Sequence, residues 1–210
     1  DRVLGCQFDG AVFTNFTSDH LDYHKTLDHY FKSKKKLFST FLMESRKPRR
    51  FAVTNRDDPQ GEAMVDGIGL PVLRYGLGPG PGVFADRVSL SFEGLSCHLI
   101  APGGECLIRS KLIGEYNLYN ILASVAAAVA MGIPLETVKE GVESLEGVPG
   151  RFEKVENRKG VTVIVDYAHT HDALERVLRV LKQLRDGTDP PAGAFGACSG
   201  SGKIVTVFGC

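Results

Sequence analysis

The chain has 210 residues, 43% of them apolar, enough for one large domain or one and a half ordinary ones around a real core. Lys and Arg total 25, as do Asp and Glu, so the charge balance points to neither nucleic acid nor an anionic membrane surface as a partner. No apolar run nears the roughly 20 residues that span a bilayer, nothing has the form of a signal peptide, and the five cysteines (Cys6, Cys97, Cys106, Cys198 and Cys210) lack any CxxC spacing, which fits the reduced thiols of a cytosol.

In chain order, "GAVFT" (Gly10 to Thr14) reads as a buried strand, and Thr26 to Ser45 as a helix. "RFAVTN" (Arg50 to Asn55) is a second strand, "DPQGEAMVDG" a short helix and "PVLRYG" (Pro71 to Gly76) a third strand. "GPGPGV" then breaks the chain, and the alternation from Val83 to Ser110 predicts an antiparallel meander with "APGG" as its hairpin turn. Two helices follow, Asn117 to Met131 and Pro134 to Leu145, and "GVPGR" (Gly147 to Arg151) reads as a hinge. Beyond it, "VTVIVD" (Val161 to Asp166), a helix from Asp172 to Leu184 and "KIVTVFG" predict a βαβ unit with two buried strands. The fold class is therefore α/β, with one domain over residues 1–148 and the opening of a second over 149–210. The start without Met, and the stop where an apolar strand has just reached its glycine, lead us to expect a piece of a longer protein.

Three stretches carry chemistry. "TNFTSDHLDYH" (Thr14 to His24) is too polar for a plain strand-to-helix connection; it either caps a helix or holds something charged. In the following helix, Leu27, Tyr30, Phe31, Leu37, Phe38, Phe41 and Leu42 form one apolar stripe, and Lys34 falls in its gap, while Lys32, Lys35 and Lys36 fall largely off it. A lysine there must snorkel, pair or lose its charge; a desolvated amine can be carbamylated by carbon dioxide, giving an anion suited to a metal. "GACSGSGKI" (Gly196 to Ile204) imitates a phosphate loop but fails: Ala197 stands five before Gly202, Ile204 follows Lys203, and the loop precedes a strand where a phosphate loop follows one.

"TNFTSDHLDYH", "YFKSKKKLF", "LIGEYNLYNILA", "GVPGRFE" and "VDYAHTHDAL", in this order, resemble the Mur ligases over nearly the whole chain, and among them the members that add the third amino acid of the peptidoglycan stem peptide. The resemblance implies most of the central ATPase domain without its phosphate-loop part (a mostly parallel sheet with helices plus a small antiparallel meander), then the first βαβ of a Rossmann-like C-terminal domain. It implies ATP and Mg2+ as cofactors, with His20 and carbamylated Lys34 as magnesium ligands; by the residues alone His20 reads as a helix-entry histidine. Asp19 and Asp22 are expected to cap and hydrogen-bond the loop. Asn117 and Asn120 are implied by the adenine, Arg151 at the ATP phosphates, and Asp166 and His169 at the nucleotide. A helix cap and ordinary polar position for the asparagines, and a backbone hydrogen bond for His169, are the alternatives. Where the family has proline this chain has His171.

The implied reaction is ATP-dependent amide formation in a bacterial cytoplasm, by a monomer acting on UDP-MurNAc-L-Ala-D-Glu and a diamino acid, with diaminopimelate ahead of lysine, and with neither nucleic acid nor membrane as a partner. Without a phosphate loop, these 210 residues are expected to be inactive alone. A catalytically silent scaffold of the same fold, or another amide ligase of the superfamily, remain alternatives.

Overall fold

The computed structural model describes residues 3–17, 26–186 and 202–209. Six strands hydrogen-bond in chain order: β1 (Gly10–Phe13), β2 (Phe51–Asn55), β3 (Val72–Leu77), β4 (Val83–Ser91), β5 (Gly94–Ala101) and β6 (Gly104–Ser110). The first four are mutually parallel, with Ala11 opposite Ala52, Val53 opposite Leu73 and Gly76 opposite Phe84. Every residue of β2 is buried, as a strand covered on both faces must be, which is why "FAVTN" shows no alternation. The two-residue links Phe92–Glu93 and Pro102–Gly103 can only join antiparallel neighbours, so the expected meander is present, with its second turn at "APGG".

"GPGPGV" does more than break the chain. The five residues after Leu77 fold back and lay β4 parallel to β3. Gly78 and Gly82 sit at φ 70° and 98°, and a Cβ on Gly82 would lie 2.0 Å from the Arg74 carbonyl oxygen. Only glycine fits both the left-handed backbone and that approach.

The lysine-rich helix runs as α1 (Leu27–Lys36), a π turn (Leu37–Phe41) and α2 (Leu42–Glu44). Thr26 caps it, its side chain accepting from the His29 amide at 3.2 Å. Phe38 and Leu42 bury against Ala11, Phe13, Ala52, Met64 and Val65, the last two from or beside the short helix α3 (Gly61–Val65).

The helices α4 (Glu115–Ala130), α5 (Leu135–Glu143) and α6 (His171–Asp186) follow, with a two-stranded antiparallel sheet of β7 (Glu153–Val155) and β8 (Val163–Val165) between α5 and α6. β7 has no counterpart in the expected elements; three residues of mixed polarity give no pattern to read. Thr170 accepts from the Ala173 amide, so α6 has its own cap and His171 takes the first helical position without proline.

Two compact units divide the chain: Asp1–Ala85, Leu99–Glu105 and Tyr119–Val138 form one; Asp86–His98, Cys106–Leu118 and Lys139–Cys210 form the other. The core of the second gathers Ile113, Phe152, Val180 and Leu184.

The expected βαβ is not closed among the described residues. β8 is shorter than read and half-exposed, and Lys203–Gly209 forms no strand, with Val205, Val207 and Phe208 at 81%, 92% and 76% exposure. An apolar run becomes a buried strand only when a neighbouring strand takes up its backbone groups; none of the described residues does so here. The glycine-rich imitation of a phosphate loop lies outside the described residues up to Gly202.

Candidate functional site

The C-terminal ends of parallel strands are where α/β sheets bind ligands, and here those of β1 and β2 are tied together. The Asn55 side chain donates to the Thr14 carbonyl at 2.8 Å, and Asp58 accepts from the Phe16 amide at 2.8 Å. Asp58 also accepts from the Gln60 amide, and Tyr75 donates from β3 to the Phe13 carbonyl at 3.2 Å. Thus "TNF", which opens the polar stretch, is held by "NRDDP" (Asn55 to Pro59). Asp57 accepts from the Tyr119 hydroxyl at 2.9 Å and from the Leu77 amide at 2.6 Å, joining α4 to the end of β3. The sequence reading passed over these acids. The signal was two aspartates directly after a buried strand, the place where a parallel sheet presents its chemistry. Ser18 to Lys25, with Asp19, His20 and Asp22, lies outside the described residues.

Lys34 is exposed, its Nζ 4.9 Å from the centre of the Tyr30 ring. The buried place on the stripe does not exist: Leu27 is 46% exposed, and Lys35 is the half-buried lysine, donating to the Ala63 carbonyl at 2.7 Å. The π turn is the cause. It holds about one more residue than an α turn, so the phase of Leu37 to Leu42 cannot be carried back across it to Lys34. Desolvation therefore gives no support to modification of Lys34; the family resemblance alone carries it. As an ammonium Lys34 would repel a divalent cation, and only as a carbamate would it offer oxygen ligands. Among the described residues no group of three or more His, Cys, Asp and Glu could hold a metal ion. The described residues do not complete a magnesium site, and no chemical step is derived through the metal.

Asn117 and Asn120 lie three apart on α4. Asn117 is the third residue of the helix, not its cap; it is 2% exposed and its amide donates to the Ile113 carbonyl at 2.8 Å. Asn120 is exposed, and its carbonyl accepts from Ser124.

In the second unit, the structure brings together Arg151, Asp166 and His169. Asp166 accepts from the Phe152 amide through Oδ2 and from the Ala168 amide through Oδ1, both at 2.8 Å. The exposed Arg151 guanidinium stands 5.0 Å from the Tyr167 ring centre. His169 is exposed and packs edge-on against the same ring at 4.9 Å. Its Nδ1 lies 2.9 Å from the Tyr167 carbonyl; a carbonyl only accepts, so Nδ1 carries the proton of that bond. The backbone hydrogen bond weighed for His169 is thus present. Tyr116, which the sequence reading passed over, packs edge-to-face on Phe152 at 5.7 Å, and its buried hydroxyl has no hydrogen-bond partner among the described residues. Burial pushes its phenol well above the usual range; the Asp166 charge adds to this and Arg151 opposes it.

The family model "Mur ligase middle domain" matches residues 1–128, and "Mur ligase, glutamate ligase domain" matches residues 150–210. The UDP-N-acetylmuramoyl-L-alanyl-D-glutamate--2,6-diaminopimelate ligase of Geobacter metallireducens is 46% identical over the whole chain, which covers 38% of that protein. The protein of the same name from Bacillus velezensis is 42% identical, again over the whole chain and 40% of its own length. A solved structure of that name superposes with a TM-score of 0.70 at 32% identity, over 86% of this chain and 37% of the other. The MurF ligase of Thermotoga maritima in complex with ADP reaches a TM-score of 0.70 at 24% identity, over 85% and 40% of the two chains, a likeness of fold. The chain thus spans well under half the length of the curated relatives it matches.

Proposed function

Because the chain belongs to the Mur ligase family, we propose that it is part of the ATP-dependent ligase that joins a diamino acid, diaminopimelate ahead of lysine, to UDP-MurNAc-L-Ala-D-Glu. The observation that carries this reading is identity of 46% along the whole chain with a relative of that name. The functional boundary falls near residue 148, between the two matched segments.

In the reaction, a D-Glu carboxylate oxygen attacks the γ-phosphorus of ATP, and ADP leaves. The amine of the diamino acid then adds to the acyl phosphate, loses a proton and expels inorganic phosphate. Such a transfer depends on positioning and on neutralising charge at the phosphoryl group. Arg151 is the residue for that task, since its guanidinium is exposed and lies over an aromatic face. Asn117 and Asn120 serve the adenine end, and Asp166 and His169 the ribose and phosphates. Lys34 reacts as the neutral amine with carbon dioxide, losing a proton, to give a carbamate; with His20 it would hold magnesium, which supplies charge neutralisation when bound. The protein works in the cytoplasm as a monomer, without nucleic acid or membrane; no helix among the described residues is long and apolar enough to cross a membrane.

The test is phosphate release by the full-length enzyme, dependent on both the UDP-linked dipeptide and diaminopimelate. Arg151→Ala should lower kcat about a hundredfold, the scale of losing one charge-assisted contact to a developing phosphoryl charge, with little change in KM for the UDP-linked substrate. A normal kcat with a raised KM would remove Arg151 from this role. No turnover with any diamino acid would favour a silent scaffold.

A further inference from the structure

We propose that Asp166 is a positioning residue: its carboxylate latches the Phe152 amide in a left-handed backbone conformation and so aims Arg151. This rests on the reading that Arg151 serves the phosphoryl transfer.

Phe152 has φ 48°, and it and Arg87 are the non-glycine residues with positive φ among those described. A bulky side chain in that region is strained by its own Cβ and needs something to hold it there. Two things do. Its ring is 2% exposed, packed with Ile113, Val180 and Leu184, so it cannot swing out to relieve the strain. Its amide is held by Asp166 Oδ2, while Oδ1 of the same carboxylate holds the Ala168 amide.

Two further hydrogen bonds complete the clamp. The Tyr167 amide donates to the Gly150 carbonyl, and the Gly150 amide to Glu153 Oε2, each at 2.8 Å. Gly150 is itself left-handed, at φ 67°. Arg151 therefore sits between two left-handed residues, and its guanidinium lies over the ring of Tyr167, the neighbour of Asp166. The backbone direction of the arginine and the platform beneath it are both set by residues 166–168. Both carboxylate oxygens are engaged by protein amides, so a ribose could use only their remaining lone pairs. The buried Tyr116 hydroxyl, whose ring packs on Phe152, has no hydrogen-bond partner among the described residues and so gives no alternative anchor for that backbone.

The experiment uses the full-length enzyme and Asp166→Asn, which can accept from only one of the two amides. We expect kcat to fall about tenfold, the factor for one lost hydrogen bond to a charged group, with KM for the UDP-linked substrate unchanged. The fall should be the same with 2′,3′-dideoxy-ATP as with ATP. The double variant with Arg151→Ala should be no slower than Arg151→Ala alone. Amide hydrogen exchange should show Phe152 less protected in Asp166→Asn, whose single acceptor oxygen is shared between the Phe152 and Ala168 amides, and as protected as in wild type in Arg151→Ala. A penalty confined to the KM for ATP that vanishes with the dideoxynucleotide would make Asp166 a ribose ligand and overturn the latch. So would full additivity with Arg151→Ala, or an unchanged Phe152 amide. The exchange measurement needs no turnover, so a wild type that fails to ligate would sink the functional reading and leave the latch to be judged by exchange. If Asp166→Asn does not fold, Asp166→Glu, which keeps the charge but displaces both oxygens by a methylene, takes its place with the same outcomes on either side.

Discussion

β2 and β8 are both written as apolar runs, "FAVTN" and "VIV", and they meet opposite fates. Every residue of β2 is buried between two parallel neighbours. Among the described residues β8 pairs with β7 alone, and Val163 and Val165 are 38% and 44% exposed. The meander strand β5 stands between them, alternating buried and half-buried residues. A hydrophobic run states what a strand could bury; the number of its covered faces decides what it does bury.

The hardest test of that contrast is a charge in each strand. Val53 is fully buried, so Val53→Asp places an unpaired carboxylate in the core and should cost more than about 4 kcal/mol, enough to prevent folding. Val163→Asp should cost less than about 1 kcal/mol. Urea denaturation followed by circular dichroism reads both, and similar losses would mean that β8 is covered after all.

Much of this was readable in advance, and the misreadings have particular causes. Strands β1 to β3, the meander and both long helices follow from period and turn residues alone. Lys34 was misplaced because a π turn interrupts the helical phase, and "LFSTF" carries no mark of one. β4 was read as part of the meander only, because nothing in "GPGPG" tells a break from a tight return to a parallel partner. The Asn55 to Asp58 cluster needed the sheet edge to give it meaning, and the left-handed Phe152 has no sequence signature beyond the Gly150 before it. Arg151, Asp166 and His169 stand at element ends that the pattern locates, and the roles given to them come from the family resemblance.

On β5, Cys97 measures the cost of one covered face. It is fully buried, and burial, reinforced by Cys106 and Asp86, pushes its thiol up to about 12. The unfolded thiol ionises near 8.5. Between those values the folded state keeps a proton that the unfolded chain has lost, so stability falls as pH rises, and the whole contribution is present below about 8.5. The slope for one proton is at most about 1.4 kcal/mol per pH unit. Denaturation at pH 9 and pH 10 should show a drop that is smaller by up to that amount in Cys97→Ala. Equal drops would mean that the thiol is reached by solvent.

Two of the four lysines of α1, Lys34 and Lys35, separate packing from chemistry on one helix. Lys35→Ala loses the bond to the Ala63 carbonyl and should cost about 1 kcal/mol of stability. Lys34→Ala, which removes an exposed side chain over Tyr30's ring face, should cost a few tenths while abolishing ligation, with partial rescue by short carboxylic acids. Full activity of untreated Lys34→Ala would end the carbamate reading.

The smallest effect belongs to the rim of the parallel sheet. Arg74 on β3 grips Glu62 on α3 with two hydrogen bonds, at 2.7 and 2.8 Å. That grip, helped by the arginine charge and opposed by partial burial, holds the Glu62 carboxyl below its usual range. Yet the two side chains are 36% and 60% exposed, and water and salt screen what the geometry offers. A lowered carboxyl stabilises above its unfolded pKa, near 4.3, and loses that contribution as pH falls through the folded value. Glu62→Gln should therefore cost only a few tenths of a kcal/mol at neutral pH and low salt. The difference should fade in molar salt, and again in acid, where the wild-type carboxyl is protonated. A loss above about 1 kcal/mol that survives high salt would put this exposed pair in the energetic class of the buried strands, and the division between covered and open faces would no longer explain where the stability lies.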